Sequence, residues 1–364
     1  MTSDLMPGKR IYVIAEAGVN HNGDPGLALD LAKAAAGAGA DAVKFQIFRT
    51  GDLVSASAPK AGYQLTATDQ TETQRAMLAR LELSQADFRE LHANCSRLGI
   101  EFLASPFDPA SVRFLAELGV SRLKLASGEI TNALLLLTAA RTGLPIILST
   151  GMSLLGEIET ALGVLAYGFL DAGGNPGSAT FQEAYEAGAA RRILSEKVVL
   201  LHCTTEYPAP IEDVNLKAID TLRSAFGLPV GYSDHTAGIT IPIAAAAREA
   251  VIIEKHLTLD HAMPGPDHQA SLEPEEFARM VFAIRDVERA LGCGKKTSTS
   301  SEHGNRNIAR RSLVAAREIA PGEIFTEDNL AVLRPASGIS AMAYYDWLGK
   351  AAPRRFLKDE AIQP

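Results

Sequence analysis

Glu254 and His256 stand two residues apart in VIIEKHLT (251–258), whose apolar β-branched opening is that of a strand buried on both faces in a parallel sheet. Successive strand residues point to opposite faces, so these two share one face and Lys255 takes the other. A carboxylate and an imidazole at a buried strand end, with a Pro/Gly loop and Asp267 behind them, mark a site rather than a core. Polar groups recur at the ends of other apolar runs. Glu16 closes the first, with Asn20 and His21 in the loop after it, and Lys44 and Gln46 share a face of the second. Ser105 ends the third; Lys124, Ser127 and Glu129 come from the fourth, Ser149 and Thr150 from the fifth. His202, Thr204, Thr205 and Tyr207 belong to the sixth, and Ser233, Asp234 and His235 to the seventh. Such groups are costly to bury without a ligand to satisfy them.

The chemistry these types support is of two kinds. Lys44 and Lys124 with Ser105, Ser127, Ser149 and Ser233 suit an oxyanion or phosphate, since point cations and hydroxyl donors match a multiply charged group. The plainer alternative is that each lysine neutralises Glu16 or Glu129. His235 and His256 on adjacent strand ends can hold a divalent ion through two imidazoles, leaving other positions to water and substrate. Their alternative is a pair of hydrogen-bonded core histidines. His202 reads as packed behind the site, and His92 and His303 receive no role.

Positioning such a ring requires a particular scaffold. Eight apolar runs, 11–18, 41–48, 100–107, 122–129, 145–152, 198–205, 229–236 and 251–258, alternate with Ala/Leu-rich helical segments, the last helix being 274–291. Eight such units over about 250 residues predict a (β/α)8 TIM barrel, with its site at the C-terminal ends of the strands. A doubly wound sheet is the alternative, but no G-x-G-x-x-G follows the first strand. Residues 49–83 form a long polar loop on the site face, and 168–196 an insertion on the opposite face. Residues 1–292 are thus read as the barrel, 293–307 as a Ser/Thr/Gly-rich linker, and 308–364 as a small β-rich domain.

The totals narrow the function classes. With 47% apolar residues among 364 and no apolar run near the ~18 that a membrane helix needs, the chain reads as soluble and globular. A net charge of −8 argues against nucleic acid as the partner. No apolar leader precedes the first strand, and three cysteines without metal or redox spacing fit a reducing cytoplasm.

The ordered motifs IAEAGVNHNGD (14–24), VKFQIF (43–48), SPFD (105–108), LKLASGEITN (123–132), ILSTGM (147–152), LLHCTTEYPAP (200–210), GYSDHT (231–236), EKHLTLD (254–260) and PGPDH (264–268) resemble the sialic acid synthase family. Members make N-acetylneuraminic, legionaminic or pseudaminic acids. Residues from about 308 resemble that family's antifreeze-like (SAF) domain. The resemblance implies condensation of phosphoenolpyruvate with an open-chain acetamido hexose of the mannosamine type, with release of phosphate. It implies a divalent metal on His235 and His256, manganese first, with magnesium or cobalt as alternatives. It assigns phosphoenolpyruvate to Lys44, Ser105, Lys124, Ser127, Ser149 and Ser233. The sugar falls to Glu16, Gln46, Glu129, Tyr207 and Asp267, and the attacking water or proton shuttling to Glu254. It also implies a homodimer whose small domain brings Arg334 to the partner's site.

This chain departs from the family pattern in places. Ser105 stands where threonine is common, Thr205 where some members carry asparagine near the phosphate, and PASGIS (335–340) where PGNGIS is usual. Arg248-Glu249 replaces a frequent Leu-Gly. Two other readings stay open: a metal-dependent barrel aldolase or lyase with a different acceptor, and a non-catalytic carbohydrate- or ice-binding protein. The loop 60–84 resembles both the legionaminic and the N-acetylneuraminic types, and the expectation leans to the legionaminic. That acceptor carries an acetamido group at C4 and a methyl at C6 where the other has hydroxyls.

Overall fold

The computed structural model describes residues 10–62, 65, 68, 69 and 71–363. The segment read for a leader, 1–9, and residues 63, 64, 66, 67 and 70 of the long loop lie outside the described residues. The chain divides into two compact units, Met1–Gly292 and Cys293–Pro364.

Eight parallel strands form the first unit: β1 (Tyr12–Gly18), β2 (Ala42–Ile47), β3 (Glu101–Pro106), β4 (Leu123–Leu125), β5 (Ile146–Ser149), β6 (Val198–Cys203), β7 (Val230–Asp234) and β8 (Ile252–His256). Their hydrogen-bonded order is β3-β2-β1-β8-β7-β6-β5-β4, and β3 lies against β4 to complete the ring. The expected TIM barrel is therefore present. Helices alternate with the strands and begin where capping chemistry puts them. Asp24, Ser84, Asp108 and Asn132 each accept a backbone N–H from the first turn of the helix that follows, and Pro25, Pro109 and Pro274 sit in first turns, where no donor is lost.

Two apolar layers result from strand alternation. Val13, Ala15, Val43, Phe45, Leu200 and Ile253 face the helices, and Ile14, Ala42, Leu103, Ile147, Val199, Leu201 and Ile252 form a separate cluster. The second cluster is the barrel's packed floor. Two residues further along the same face of β1, β2, β3, β5 and β8 stand Glu16, Lys44, Ser105, Ser149 and Glu254.

Lys255 does take the face opposite Glu254 and His256, but it is wholly buried there. Its ammonium reaches Asp234 Oδ2 at 2.5 Å and the carbonyl of Thr236, and Asp234 also accepts from Tyr232 and from the Thr236 backbone. This pair ties the end of β7 to the end of β8 on the outside of the ring.

Three segments differ from their sequence reading. The fourth strand is only three residues long, because Ser127–Glu129 turns into a 3-10 helix. The long loop carries helices Thr50–Leu53 and Gln74–Ala79, and buried Lys60 pins it by donating to Thr68 Oγ1, Asp69 O and Glu72. The segment read as a linker holds the helix Ser300–Ala309, started by a capping box between Thr299 and Glu302. Asn307 of that helix accepts from the backbone N–H of Ala336, so the helix belongs to the second unit. The insertion folds as helices Ser178–Glu186 and Ala190–Lys197, leading into the N-terminal end of β6.

The second unit pairs β9 (Ser312–Ala315) with β10 (Leu330–Leu333) antiparallel. Leu313, Ile319, Phe325, Phe356 and Ile362 form its own core. Arg334 follows β10 in an exposed loop.

Replacing Lys255 by Met leaves the Asp234 carboxylate buried without its cation. The substitution is expected to lower the stability of the barrel by about 3–5 kcal/mol, read as a fall in its urea midpoint. A loss below about 1 kcal/mol would show that the pair does not hold the strand ends.

Candidate active site

The register of the ring brings the polar strand ends beside one another. Glu16 pairs with Lys44 on one side and His256 on the other, Gln46 with Ser105, Cys203 with Ser233, and Ser233 with Glu254. They line a cavity of about 290 Å³ at the C-terminal ends of the strands. Of the groups expected from sequence, Glu16, Lys44, Gln46, Ser105, Lys124, Ser127, Ser149, Thr205, Tyr207, Ser233, His235, Glu254 and His256 all face it. Asp267 lies just beside, its carboxylate converging with the Glu16 carboxyl and the Gln46 amide Nε2 on the space next to Gly18. Glu129 does not line the cavity. The 3-10 turn after the short β4 carries it aside, where it accepts from Asn132 Nδ2 at 2.7 Å. Arg334 belongs to the other unit.

Charge is concentrated in the centre. Lys44 contacts Glu16, donates to Ser105 Oγ at 3.2 Å, and lies 3.8 Å from Glu254. Lys124 lies 3.4 Å from Glu254, which also accepts from Ser233 at 2.8 Å. Burial acts on every member, and the neighbours decide the outcome. Burial pushes the Glu16 carboxyl up to about 7 despite Lys44. For Glu254 burial is outweighed by Lys124 and Lys44, which hold it down at about 2. Burial would lower the Lys44 ammonium, but Glu16 and Glu254 raise it; the Lys124 ammonium falls, burial prevailing over Glu254. Asp267 is raised to about 6 by burial, with Lys44 opposing. One carboxylate is thus fixed as an ion and its neighbour is poised to exchange a proton near neutrality.

A second cluster surrounds Gly151. Its backbone N–H donates to Ser127 Oγ at 3.0 Å, and a Cβ there would lie 2.3 Å from Thr205 Oγ1 and 3.0 Å from Cys203 Sγ. Only glycine lets the chain approach this closely. Ser149 Oγ and Thr205 Oγ1 are buried without a hydrogen-bond partner, and with Lys124 nearby they form a socket of donors for an oxyanion.

His235 and His256 face each other with ring centroids 5.6 Å apart, and Tyr207 stacks on His235 at 4.2 Å. Burial keeps both imidazoles neutral, His235 down to about 4 and His256 well below the usual histidine range. His235 Nδ1 donates to Thr204 O at 2.6 Å, which fixes its tautomer and turns Nε2 inward. His256 Nδ1 is buried with no partner. Two neutral imidazoles with an orphaned nitrogen fit a divalent metal whose remaining positions go to water and substrate. Among the described residues no group of three or more protein ligands is assembled.

His202, read as packed behind the site, bonds Val214 O and packs on Tyr232, as its position inside an apolar run indicates. Asn20 and His21, counted from sequence among the strand-end groups, are not in the cavity lining. Asn20 donates to Leu257 O and Ser271 Oγ and His21 Nδ1 accepts from the Gly23 N–H, while Asn20 Oδ1 and His21 Nε2 are buried without a partner. Sequence reasoning missed Cys203, Gly151 and an apolar side of the cavity made by Leu53, Val54, Leu78 and Phe107. Cys203 and Gly151 were detectable. Cys203 shares a face with Leu201, and Gly151 follows a strand end between two hydroxyl-rich segments.

Comparison with known proteins places this geometry in context. The model of the NeuB family matches residues 31–296 and that of the SAF domain residues 310–364. The N,N'-diacetyllegionaminic acid synthase of Campylobacter jejuni subsp. jejuni serotype O:2 is 49% identical over 355 residues, 98% of this chain and 99% of that one. The enzyme of the same name from Legionella pneumophila is 45% identical over 90% of this chain and 86% of its own. A crystal structure of N-acetylneuraminic acid (sialic acid) synthetase from Leptospira borgpetersenii serovar Hardjo-bovis in complex with citrate superposes with a TM-score of 0.65 and 34% identity, covering 82% of this chain and 90% of that one. A ring of strand-end charges in the order the motifs required, together with matches along both units, establishes that the chain belongs to the NeuB family and ends in a SAF domain.

Proposed function

We propose that the protein condenses phosphoenolpyruvate with an open-chain 2,4-diacetamido-2,4,6-trideoxymannose to give an N,N'-diacetyllegionaminic acid and phosphate. The observation that carries the acceptor is the 49% and 45% identity to two synthases of that name over nearly the whole chain. The cavity supports the reaction class. Its cations and hydroxyl donors match a phosphate and a carboxylate, while two neutral imidazoles stand apart from them.

In this reading Lys44, Lys124, Ser105, Ser127, Ser149, Ser233 and the Gly151 N–H hold phosphoenolpyruvate through its anionic groups. Glu16, Gln46, Tyr207 and Asp267 face the sugar. A divalent metal, manganese first and magnesium or cobalt otherwise, would be held by His235 and His256 and would supply Lewis-acid polarisation of the sugar aldehyde. The enol carbon forms a bond to the aldehyde carbon, whose oxygen takes a proton and becomes a hydroxyl. In this reading Glu16, which exchanges a proton near neutrality, is the donor. C2 of the former enol is then cationic, and water adds to it. Glu254, ionised throughout, orients that water and steadies the cation. The water's first proton returns to Glu16 as the hemiketal phosphate forms; the C–O bond to phosphate then breaks, the departing phosphate takes the second proton, and the water oxygen remains as the new ketone.

The finer parts follow from the same reading. We infer a homodimer in which Arg334, exposed after β10, serves the acceptor in the partner's site, a planar guanidinium suiting acetamido or carboxylate oxygens. Free Cys95, Cys203 and Cys293 and a phosphoenolpyruvate substrate suit the cytoplasm. No helix among the described residues is long and apolar enough to cross a membrane.

Phosphate release from phosphoenolpyruvate with manganese should be seen with 2,4-diacetamido-2,4,6-trideoxymannose and be at least about tenfold slower with N-acetylmannosamine. Chelation should stop it and added manganese restore it; the reverse sugar preference would overturn the acceptor.

Lys124→Met and Arg334→Ala proteins should each be inactive alone. Mixed and allowed to exchange subunits, they should recover about a quarter of wild-type turnover, because half the dimers are mixed and each carries one complete site. No recovery would remove the shared site.

Glu16 also predicts a pH effect on stability. Its folded pKa, about 7, lies above the ordinary carboxyl value of 4.5. The native state therefore keeps a proton that the unfolded chain releases, and stability from this group falls as pH rises from about 4.5 to about 7. Glu16→Gln removes that slope. The difference in unfolding free energy, Gln variant minus wild type, should grow by on the order of 3 kcal/mol between pH 4.5 and pH 7.5. A difference independent of pH would contradict the raised value.

A further inference from the structure

One side of the cavity has no place in the chemistry above. Leu53 and Val54 close the helix that follows β2, Leu78 faces inward from the helix Gln74–Ala79, and Phe107 comes directly after β3. All four line the same cavity as the catalytic groups and are only partly buried, so their apolar surface meets whatever fills it. The wall is firmly built. Leu53, Leu78 and Phe107 pack on the buried cluster Val19, Phe48 and Leu81, and the Phe107 ring meets Phe48 edge-on at 6.2 Å. The helix carrying Leu53 is anchored at its start, where Thr50 donates to Glu82 through both its backbone N–H and its hydroxyl. The loop leading to Leu78 is pinned by Lys60.

Its position in the ring is informative. In the order β3-β2-β1-β8-β7, the strands that carry the wall lie three to four places from β7, half the circumference of eight strands. From His235, which follows β7, the wall is thus three to four places away, and from His256 on β8 two to three; it lines the same cavity as both. An open-chain hexose with its aldehyde at the two histidines has its far end, C6, directed across the mouth. There it meets a mainly apolar surface; the polar side chain beside Leu78, Gln74, already has a partner of its own. A C6 hydroxyl against this surface would lose water without gaining a partner, whereas a methyl would gain by burial.

We propose that Leu53, Val54, Leu78 and Phe107 form the subsite for the C6 methyl group of a 6-deoxy acceptor, and so select a 6-deoxy sugar over its 6-hydroxy counterpart. This rests on the acceptor reading given above and adds the residues that enforce it. An apolar pocket discriminates against an added hydroxyl by a factor on the order of 100 at most, so the selection is a ratio and not an absolute bar.

The test compares two acceptors that differ only at C6, 2,4-diacetamido-2,4,6-trideoxymannose and 2,4-diacetamido-2,4-dideoxymannose, with the full-length wild type and with Leu78→Asn and Leu53→Asn. The wild type is expected to favour the methyl sugar in kcat/KM by about 10- to 100-fold. Each variant should bring that ratio to within about threefold, mainly by losing activity on the methyl sugar. Phosphoenolpyruvate affinity, measured by calorimetry, should stay within about twofold of wild type and so report an intact barrel. Two outcomes overturn the subsite: a wild type that uses both sugars equally, or variants that bind phosphoenolpyruvate normally and slow both sugars by the same factor. A wild type that releases no phosphate with either sugar fails the acceptor reading itself, and the subsite with it. If one asparagine variant does not fold, the other, or Phe107→Tyr with its hydroxyl at the ring tip, gives the same readout.

Discussion

Two ammonium groups and two carboxyl groups stand at the mouth of this barrel with almost no exposure: 3% each for Lys44 and Lys124, 2% for Glu16 and 4% for Glu254. Taking an ion out of water costs several kcal/mol even after relaxation, and partial compensation leaves a protein less stable than an apolar core would. Everything around the site answers to that cost. Opposite charges sit within 4 Å of one another, hydroxyls of Ser105 and Ser233 supply further bonds, and one carboxyl, Glu16, meets the remaining cost by holding its proton up to about 7. The balance is left open on both sides. Lys124 has its ammonium lowered and Ser149 and Thr205 have no partner, which offers donors to an anion, while Glu16 and Glu254 keep oxygens without a hydrogen bond, which offers acceptors to a group that carries donors.

The same constraint separates acid from base without any change of residue type. Glu16 and Glu254 are both wholly enclosed glutamates near Lys44. What differs is the second cation and the serine: Lys124 and Ser233 act on Glu254 at hydrogen-bond or ion-pair distance, and Glu16 has neither. A fixed anion and an exchangeable proton then stand on neighbouring strands. Such a pair offers an ion to a developing cation and a proton to a developing alkoxide.

The ring was readable from sequence because charged residues inside apolar strands have few structural uses, and period-two alternation assigns each to a face. That argument extends only as far as the strand continues. Glu129 was expected to face the sugar from the family resemblance and as the end of the run 122–129; β4 ends at Leu125, and the 3-10 turn that follows leaves Ser127 in the cavity lining and Glu129 out of it. Lys255 was assigned the outer face correctly, but nothing local in the sequence reveals that Asp234 and Thr236 will bury it. The helix Ser300–Ala309 escaped because SSEHGNRNIA has no apolar stripe, and its signal was the capping box between Thr299 and Glu302. Leu53 and Leu78 were invisible for a different reason. A leucine in a polar loop carries no periodicity, and its role depends on which strand ends the loop crosses.

The outer and inner faces of β7 and β8 show how the two kinds of burial cooperate. On the inner face, His235 and His256 are buried and neutral with their rings 5.6 Å apart, and each sits at a strand end, where ladders fray. On the outer face, one residue from each, Asp234 and Lys255 form an ion pair with no solvent contact. A buried pair is a poor source of net stability, but breaking it is expensive, so it resists separation of the two strand ends. Alternation carries that rigidity through the sheet. Holding Lys255 against Asp234 fixes the register of the two strand ends, and with it the spacing of the imidazoles on the other side. The ions that face the helices therefore serve the site as directly as those that face the substrate.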